Sequence, residues 1–241
     1  MKLRGLTPDV IRRRKVYEEV AGRIEALIQA GHYVPGDQLP SERELMEAYG
    51  VGRTSVREAM FSLQKMGLLS ISSGERARVI APSARVLVGE LSGAARHLLS
   101  QPGGPEHFQQ ARAFLEMALA RHAARHATQA QIMSLAAALD ANRRSVDDEA
   151  AFNRTDVAFH YVLAEIPQNP IFTALHEAIA QWLVEQCMVS GRVCGSARAA
   201  CRAHQRIYDA VATRDAEAAE LAMQEHLRQV ERYYWRARNA R

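Results

Sequence analysis

Asp156 and His160 stand four residues apart, a spacing that on a helix projects both side chains from one face, about one turn from each other. His204 and His226 follow, each within its own stretch of helical periodicity. Three helices can therefore converge one carboxylate and three imidazoles on an interior point. That donor set suits a divalent ion, Zn²⁺ first, with Mn²⁺, Ni²⁺ or Fe²⁺ compatible. An ion held this way can bind the carboxylate of a small acid, or activate water as a metalloenzyme does. Without a metal, the same histidines read equally well as ordinary surface or core residues.

Other groups compete for attention. His122 and His126 share the i, i+4 spacing in HAARH, but no carboxylate lies nearby in sequence and the helix end is polar, so an exposed face is expected. Cys187, Cys194 and Cys201 recur every seven residues, yet Gly191 and Gly195 interrupt the helix that would align them. Small buried hydrophobes, rather than a thiolate site, are the expectation there. Arg112 with Glu116 is either an exposed i, i+4 ion pair or an inward counter-charge for an anionic ligand.

A second constellation lies upstream, between Leu39 and Val79. Ser41 followed by Glu44 is a capping box, and Gly50 supplies a left-handed stop. Val56, Ala59, Met60 and Leu63 form the apolar stripe of a second helix, from about Gly52 to Gly67. Arg53 and Arg57 share the opposite face, beside Thr54 and Ser55. A donor-rich tip at the start of a helix is what reading the major groove requires. Leu69 to Ser72 and Arg76 to Ile80 flank a Ser73-Gly74-Glu75 turn as a two-stranded wing, with Arg76 and Arg78 to one side. Val16, Val20, Ile24, Leu27 and Ile28 supply a preceding amphipathic helix ending at Gly31. Three helices and a hairpin make a winged helix-turn-helix. The cluster Arg12-Arg13-Arg14-Lys15 reads as a solvated helix end after a mobile arm.

The 241 residues leave room for a further domain. One linking helix is expected over 84–99, broken by Gln101-Pro102-Gly103-Gly104-Pro105. Helices follow over 108–126, 128–145 (a Thr128/Gln131 capping box), 148–166 (an Asp148 cap), 171–189, 197–213 and 215–234 (an Asp215 cap). The fold class is thus mainly α: a winged helix-turn-helix over 1–82, a linker over 83–105, and an all-helical ligand-binding and dimerisation domain of six to seven helices over 106–241. With 48% hydrophobic and 24% charged residues the chain is globular rather than disordered. It has no apolar run of ~18 residues to span a membrane and no secretory signal. A cytoplasmic location is the expectation. Net charge is +4; residues 1–82 carry 13 Lys+Arg against 10 Asp+Glu and the remainder 18 against 17, so the excess sits where DNA would be met.

PSEREL, GRTSVREA and the Gly74 turn resemble the GntR-type winged helix. Asp156-x3-His160, His204 in AHQRIYDAV and His226 in MQEHL resemble the ligand-binding domain of its FadR (FCD) subfamily. GERARVIAPSA, GELSG, PGG-x-x-HF and AEIP-x-NPIF are similar to the sialic-acid-responsive branch of that subfamily. The resemblance implies that Arg43, Arg53, Thr54, Ser55 and Arg57 contact operator DNA, with Gly74 at the wing tip near the minor groove. It also implies that Asp156, His160, His204 and His226 hold a divalent metal, Zn²⁺ above others, which binds an effector carboxylate. Arg112 and Asn169 stand where the subfamily often has effector-pocket residues. Two positions depart from the family: Gly52 replaces a common Ser or Thr, and the wing reads GERARV rather than Gly-x-Gly-Thr. The expected function is a homodimeric repressor of sialic acid catabolism or transport genes, not an enzyme, released by sialic acid. Another sugar acid or hydroxy acid is the alternative effector.

Overall fold

A computed structural model of the chain describes residues 15–72, 74–81, 83–89, 91–184, 188–189, 193 and 195–239. Arg12 to Arg14 of the basic cluster, Pro82 at the expected boundary, Cys187, Gly191 and Cys194 lie outside the described residues. The chain divides into two compact units, Met1–Leu87 and Val88–Arg241.

The first unit holds α1 (Val16–Gln29), α2 (Glu42–Tyr49), α3 (Arg53–Lys65) and a hairpin of β1 (Leu69–Ser70) and β2 (Arg78–Val79). Ser41 starts α2 through a reciprocal box: its backbone N–H donates to Glu44 Oε2 at 2.7 Å and its Oγ accepts the Glu44 N–H at 3.3 Å. Gly50, at φ +64°, occupies the left-handed region that ends α2 and turns the chain into α3. Val56, Ala59, Met60 and Leu63 of α3 bury against Val20, Ala21 and Ile24 of α1 and against Leu39, Leu69 and Val79. That packing fixes the height at which the opposite face of α3 presents its arginines.

The wing ladder is shorter than the sequence pattern suggests. Among the described residues the paired positions are Leu69 with Val79 and Ser70 with Arg78, and Ile80 N–H donates to Leu68 O beyond them. The other edge of β2 is engaged as well. Gly36 N–H donates to Val79 O, Val79 N–H to Asp37 O and Leu39 N–H to Ala77 O, so residues 77–79 are shared with the segment before α2. Arg78 Nη1 donates to Gly36 O at 2.7 Å, whereas Arg76 reaches Glu44 at 3.7 Å. The two arginines therefore serve different partners rather than one common face.

α4 (Ala84–Gly89) and α5 (Ser92–Leu99) replace the single helix expected over 84–99. Gly89 and Gly93 within five residues make a continuous helix costly there. The rest of the second unit is α6 (Gly104–His126), α7 (Gln129–Arg144), α8 (Glu149–Glu165), α9 (Pro170–Trp182), α10 (Ser196–Ala212) and α11 (Ala216–Asn239). Caps set the starts of three of them: Thr128 with Gln131, Asp148 accepting the Ala151 N–H, and Asp215 accepting the Ala218 N–H. At Gly104, a Cβ would stand 2.2 Å from Leu98 O, so only glycine lets α6 begin this close to α5. α11 packs along α6 and α10, and α8 along α7. The core between them comprises Ala120, Ala123, Leu135, Phe159, Leu163, Ile207, Val211 and Met223 among others. Among the described residues no helix is long and apolar enough to cross a membrane.

Candidate metal centre and nucleic-acid interface

α8, α10 and α11 each bring one buried histidine, His160, His204 and His226, to a single point in the second unit. His226 Nε2 lies 3.3 Å from His204 Nε2 and 3.3 Å from His160 Nε2. One ligating atom from each residue falls within 4.8 Å of the others. A single proton on His226 Nε2 can be donated well to only one of the two nitrogens facing it, whereas a cation among the three can take a lone pair from each. Zn–N bonds of about 2.0–2.1 Å at a tetrahedral angle put neighbouring nitrogens about 3.3 Å apart. The observed spacing matches, and the residues fit an ion.

Asp156, one turn before His160, brings Oδ1 to 3.6 Å from His204 Nε2, and its side chain keeps 22% exposure, which puts it at the open side of the cluster. Burial raises the Asp156 carboxyl above its ordinary pKa. Burial, reinforced by the neighbouring imidazoles, pushes His204 and His226 well below theirs. Both rings are thus held in the neutral form that a metal requires.

Two residues stand behind this centre: Asn142, which the sequence does not single out, and Glu116, which it marks only as the partner of Arg112. Fully buried Asn142 of α7 places Oδ1 2.9 Å from His204 Nδ1. Glu116 of α6 lies in ion-pair contact with His160 Nδ1, and Arg112 Nε donates to Glu116 Oε1 at 2.6 Å. Their exposures of 13% for Arg112 and 4% for Glu116 rule out the exposed-pair alternative. Burial alone would raise the Glu116 carboxyl, but Arg112 and the His160 imidazole together hold it well below the usual range. His176 of α9, also missed, is buried with its ring centroid 6.4 Å from that of His160; burial pushes it down to about 4. No local pattern marks Asn142 or His176.

Beside His226 and Asp156 opens a cavity of about 50 Å³, with Arg112, Asn153, Ser196, Gln229 and Tyr233 among its walls. Asn169 is not one of them. It is exposed and caps α9, its Oδ1 accepting the Ile171 N–H at 3.0 Å, so the structure gives it a helix-starting task. On α6, His126 is exposed and His122 half-buried, with ring centroids 4.5 Å apart. Cys201 is more than a small hydrophobe: its Sγ donates to Asn142 Oδ1 at 3.3 Å.

In the first unit, Arg43, Arg53, Thr54 and Arg57 are exposed and Ser55 is half-buried. Glu42, the first residue of α2, reaches Arg53 Nε at 3.0 Å through Oε2 and Arg57 Nε at 3.7 Å through Oε1. Gly52 begins α3 without a side-chain cap, so nothing from the cap residue covers the first-turn N–H groups, the kind that bind phosphate. Gly74, at φ +81°, is exposed in the wing turn. Basic and hydroxyl side chains are thus gathered at the start of α3.

Residues 16–79 match the bacterial regulatory proteins of the gntR family, and residues 108–229 match the FCD domain. The HTH-type transcriptional repressor NanR of Citrobacter rodentium (strain ICC168) is 47% identical over 229 residues, spanning 94% of this chain and 88% of that protein. NanR of Escherichia coli (strain K12) is 46% identical over 229 residues, spanning 94% and 87% respectively. Among solved structures, a Streptococcus agalactiae GntR protein superposes with a TM-score of 0.63 at 25% identity, covering 90% of this chain and 99% of that one.

Proposed function

This chain belongs to the gntR family of bacterial regulatory proteins and carries an FCD domain, and from that membership we propose a dimeric repressor of sialic acid catabolism or transport genes, released when a carboxylate effector binds beside a zinc ion. Its family and its relatives are transcriptional regulators, not enzymes, which removes the metalloenzyme alternative. Repression follows the likeness to relatives that are themselves transcriptional repressors.

The observation that carries the reading is the three-histidine cluster opening past Asp156 into a cavity walled by Arg112. Asp156, His160, His204 and His226 would hold the ion. Once bound, that ion supplies a Lewis-acid anchor for the oxygen atoms of an acid. Arg112, held by Glu116 at its Nε, adds a positive charge beside the same cavity. Sialic acid fits the chemistry as a carboxylate with neighbouring oxygens. The cavity is small and partly open, and an effector that displaces its walls would couple binding to a change in the helical unit.

On the DNA side, Arg43, Arg53, Thr54, Ser55, Arg57 and the Gly74 wing tip would meet the operator, with α3 in the major groove. Two copies would read successive half-sites. Phe114 on α6, 84% exposed, is the aromatic side chain we assign to the partner surface.

The test is operator binding by fluorescence anisotropy on the zinc-loaded protein. N-acetylneuraminate should release the DNA, and the metal-free protein should not respond. Release by a different sugar acid or hydroxy acid, with N-acetylneuraminate inert, would reject the sialic acid assignment and leave the regulator intact.

A further inference from the structure

We propose that Asn142 is a positioning residue of the metal centre: it holds His204 in the Nδ1–H tautomer, so that Nε2 turns its lone pair toward the ion. The proposal rests on the metal-binding reading above and adds a residue to it.

Neutral imidazole has one N–H and one acceptor nitrogen, and its partners decide which is which. Asn142 offers His204 Nδ1 either its carbonyl oxygen or its amide nitrogen, and the surrounding hydrogen bonds select the oxygen. Asn142 Nδ2 donates to Thr155 Oγ1 at 3.1 Å. The Thr155 hydroxyl already faces the Ala151 and Phe152 carbonyls at 3.0 Å each and Ser145 Oγ at 2.7 Å, so its own proton is engaged and its lone pairs need a donor. The amide must therefore turn its nitrogen to Thr155 and its oxygen the other way. On that other side Oδ1 meets two groups, Cys201 Sγ at 3.3 Å and His204 Nδ1 at 2.9 Å. An amide oxygen only accepts, so His204 Nδ1 carries the proton. Nε2 is left as the acceptor atom, and it is Nε2 that faces His226.

Glu116 stands in the same relation to His160, in ion-pair contact with Nδ1 while Nε2 faces His226. His160 Nδ1 has that ion-pair contact in place of a hydrogen bond, and among the described residues neither kind of partner stands behind His226 Nδ1. Two of the three rings are thus fixed from behind, by α6 and α7, helices that contribute no ligand themselves. Asn142 also fastens α7 to α8 through Thr155 and to α10 through His204 and Cys201. Outer residues of this type set ring orientation and ligand basicity.

Long-range ¹H–¹⁵N spectra of the metal-free full chain, labelled in histidine, give the tautomer directly. His204, assigned by a His204→Gln comparison, should be protonated on Nδ1; protonation on Nε2 in the wild type overturns the proposal. Zinc affinity, measured against a chromophoric chelator, should fall about tenfold to a hundredfold in Asn142→Leu. In Asn142→Asp, which keeps the acceptor, it should stay within a few-fold of wild type or rise. Leucine binding zinc as tightly as asparagine, or aspartate losing the metal, would also overturn it. Because the tautomer is read in the wild type, misfolding of the leucine variant leaves the decision intact. A wild type that binds no zinc yet shows the Nδ1–H tautomer would overturn the metal reading itself.

Discussion

Glu42 and Arg53 meet across the turn between α2 and α3, Oε2 to Nε at 3.0 Å, and the other oxygen of the same carboxylate faces Arg57. A guanidinium held at Nε still has its Nη1–Nη2 fork for bidentate contact with guanine. Glu42 therefore orients both arginines while placing a negative charge near DNA. Glu42→Ala should raise affinity for unrelated duplexes and lower the ratio of operator to non-operator binding. Anisotropy titrations at one fixed salt concentration check this, and an unchanged ratio would refute the orienting role.

Arg53→Ala and Arg57→Ala separate base reading from phosphate contact. Loss of about 1–3 kcal/mol on the operator, with relaxed preference at one base pair, marks guanine recognition. Equal weakening on every sequence, with a shallower salt dependence, would mark a phosphate contact instead.

His204→Ala should abolish zinc binding and the effector response together, because it removes one of the three facing nitrogens. DNA binding should persist, since the residues of the first unit keep their own core. Elemental analysis of the purified variant, beside operator binding with and without effector, checks both halves. A variant that keeps the metal would show that the cluster is not the site.

Acid should weaken the helical unit of the metal-free protein. His176, pushed down to about 4 by burial, is protonated in the unfolded chain from about pH 6.5 but stays neutral in the fold until about pH 4. The unfolded state binds the extra proton in that window, so stability falls as pH drops from about 6.5 to 4, by up to about 3 kcal/mol for this residue. His204 and His226 shift in the same direction and add to the loss. Asp156, raised by burial, opposes it in part. Urea melts at pH 7 and pH 4.5 measure the difference, and equal midpoints would contradict it.

Phe114→Lys should weaken self-association. Losing a buried aromatic anchor costs a dimer at least about 1.4 kcal/mol, a tenfold rise in Kd. Sedimentation equilibrium reads this directly. Wild-type association in the variant would place the partner surface elsewhere.

Local signals carried much of the architecture. The Ser41/Glu44 and Thr128/Gln131 boxes and the Asp148 and Asp215 caps each act within three residues, so the chain displays them whatever the tertiary fold. The stripe from Val56 to Leu63 is likewise a property of one helix. Three features needed packing to be seen. β2 pairs along both edges, with β1 on one and with residues 36–39 on the other. Asn142 acts on a histidine 62 positions away. Glu116 was visible only as a charge four residues from Arg112, a spacing that does not reveal which side faces inward. Asn169 carries a second signal that the sequence displays: asparagine before proline at the start of an apolar run is a helix cap.

The ligating atoms come from α8, α10 and α11, and the last of them, His226, lies on the final helix. Translation delivers the arginine-bearing α3 well before this imidazole. A ribosome-bound chain that has not yet released α11 lacks one nitrogen of the three. A product cut short inside α11 keeps the DNA-reading unit, whose core is its own, but loses a helix that packs along α6 and α10. Premature stops there are therefore expected to remove the sensor and the dimer together, and to free the regulated genes.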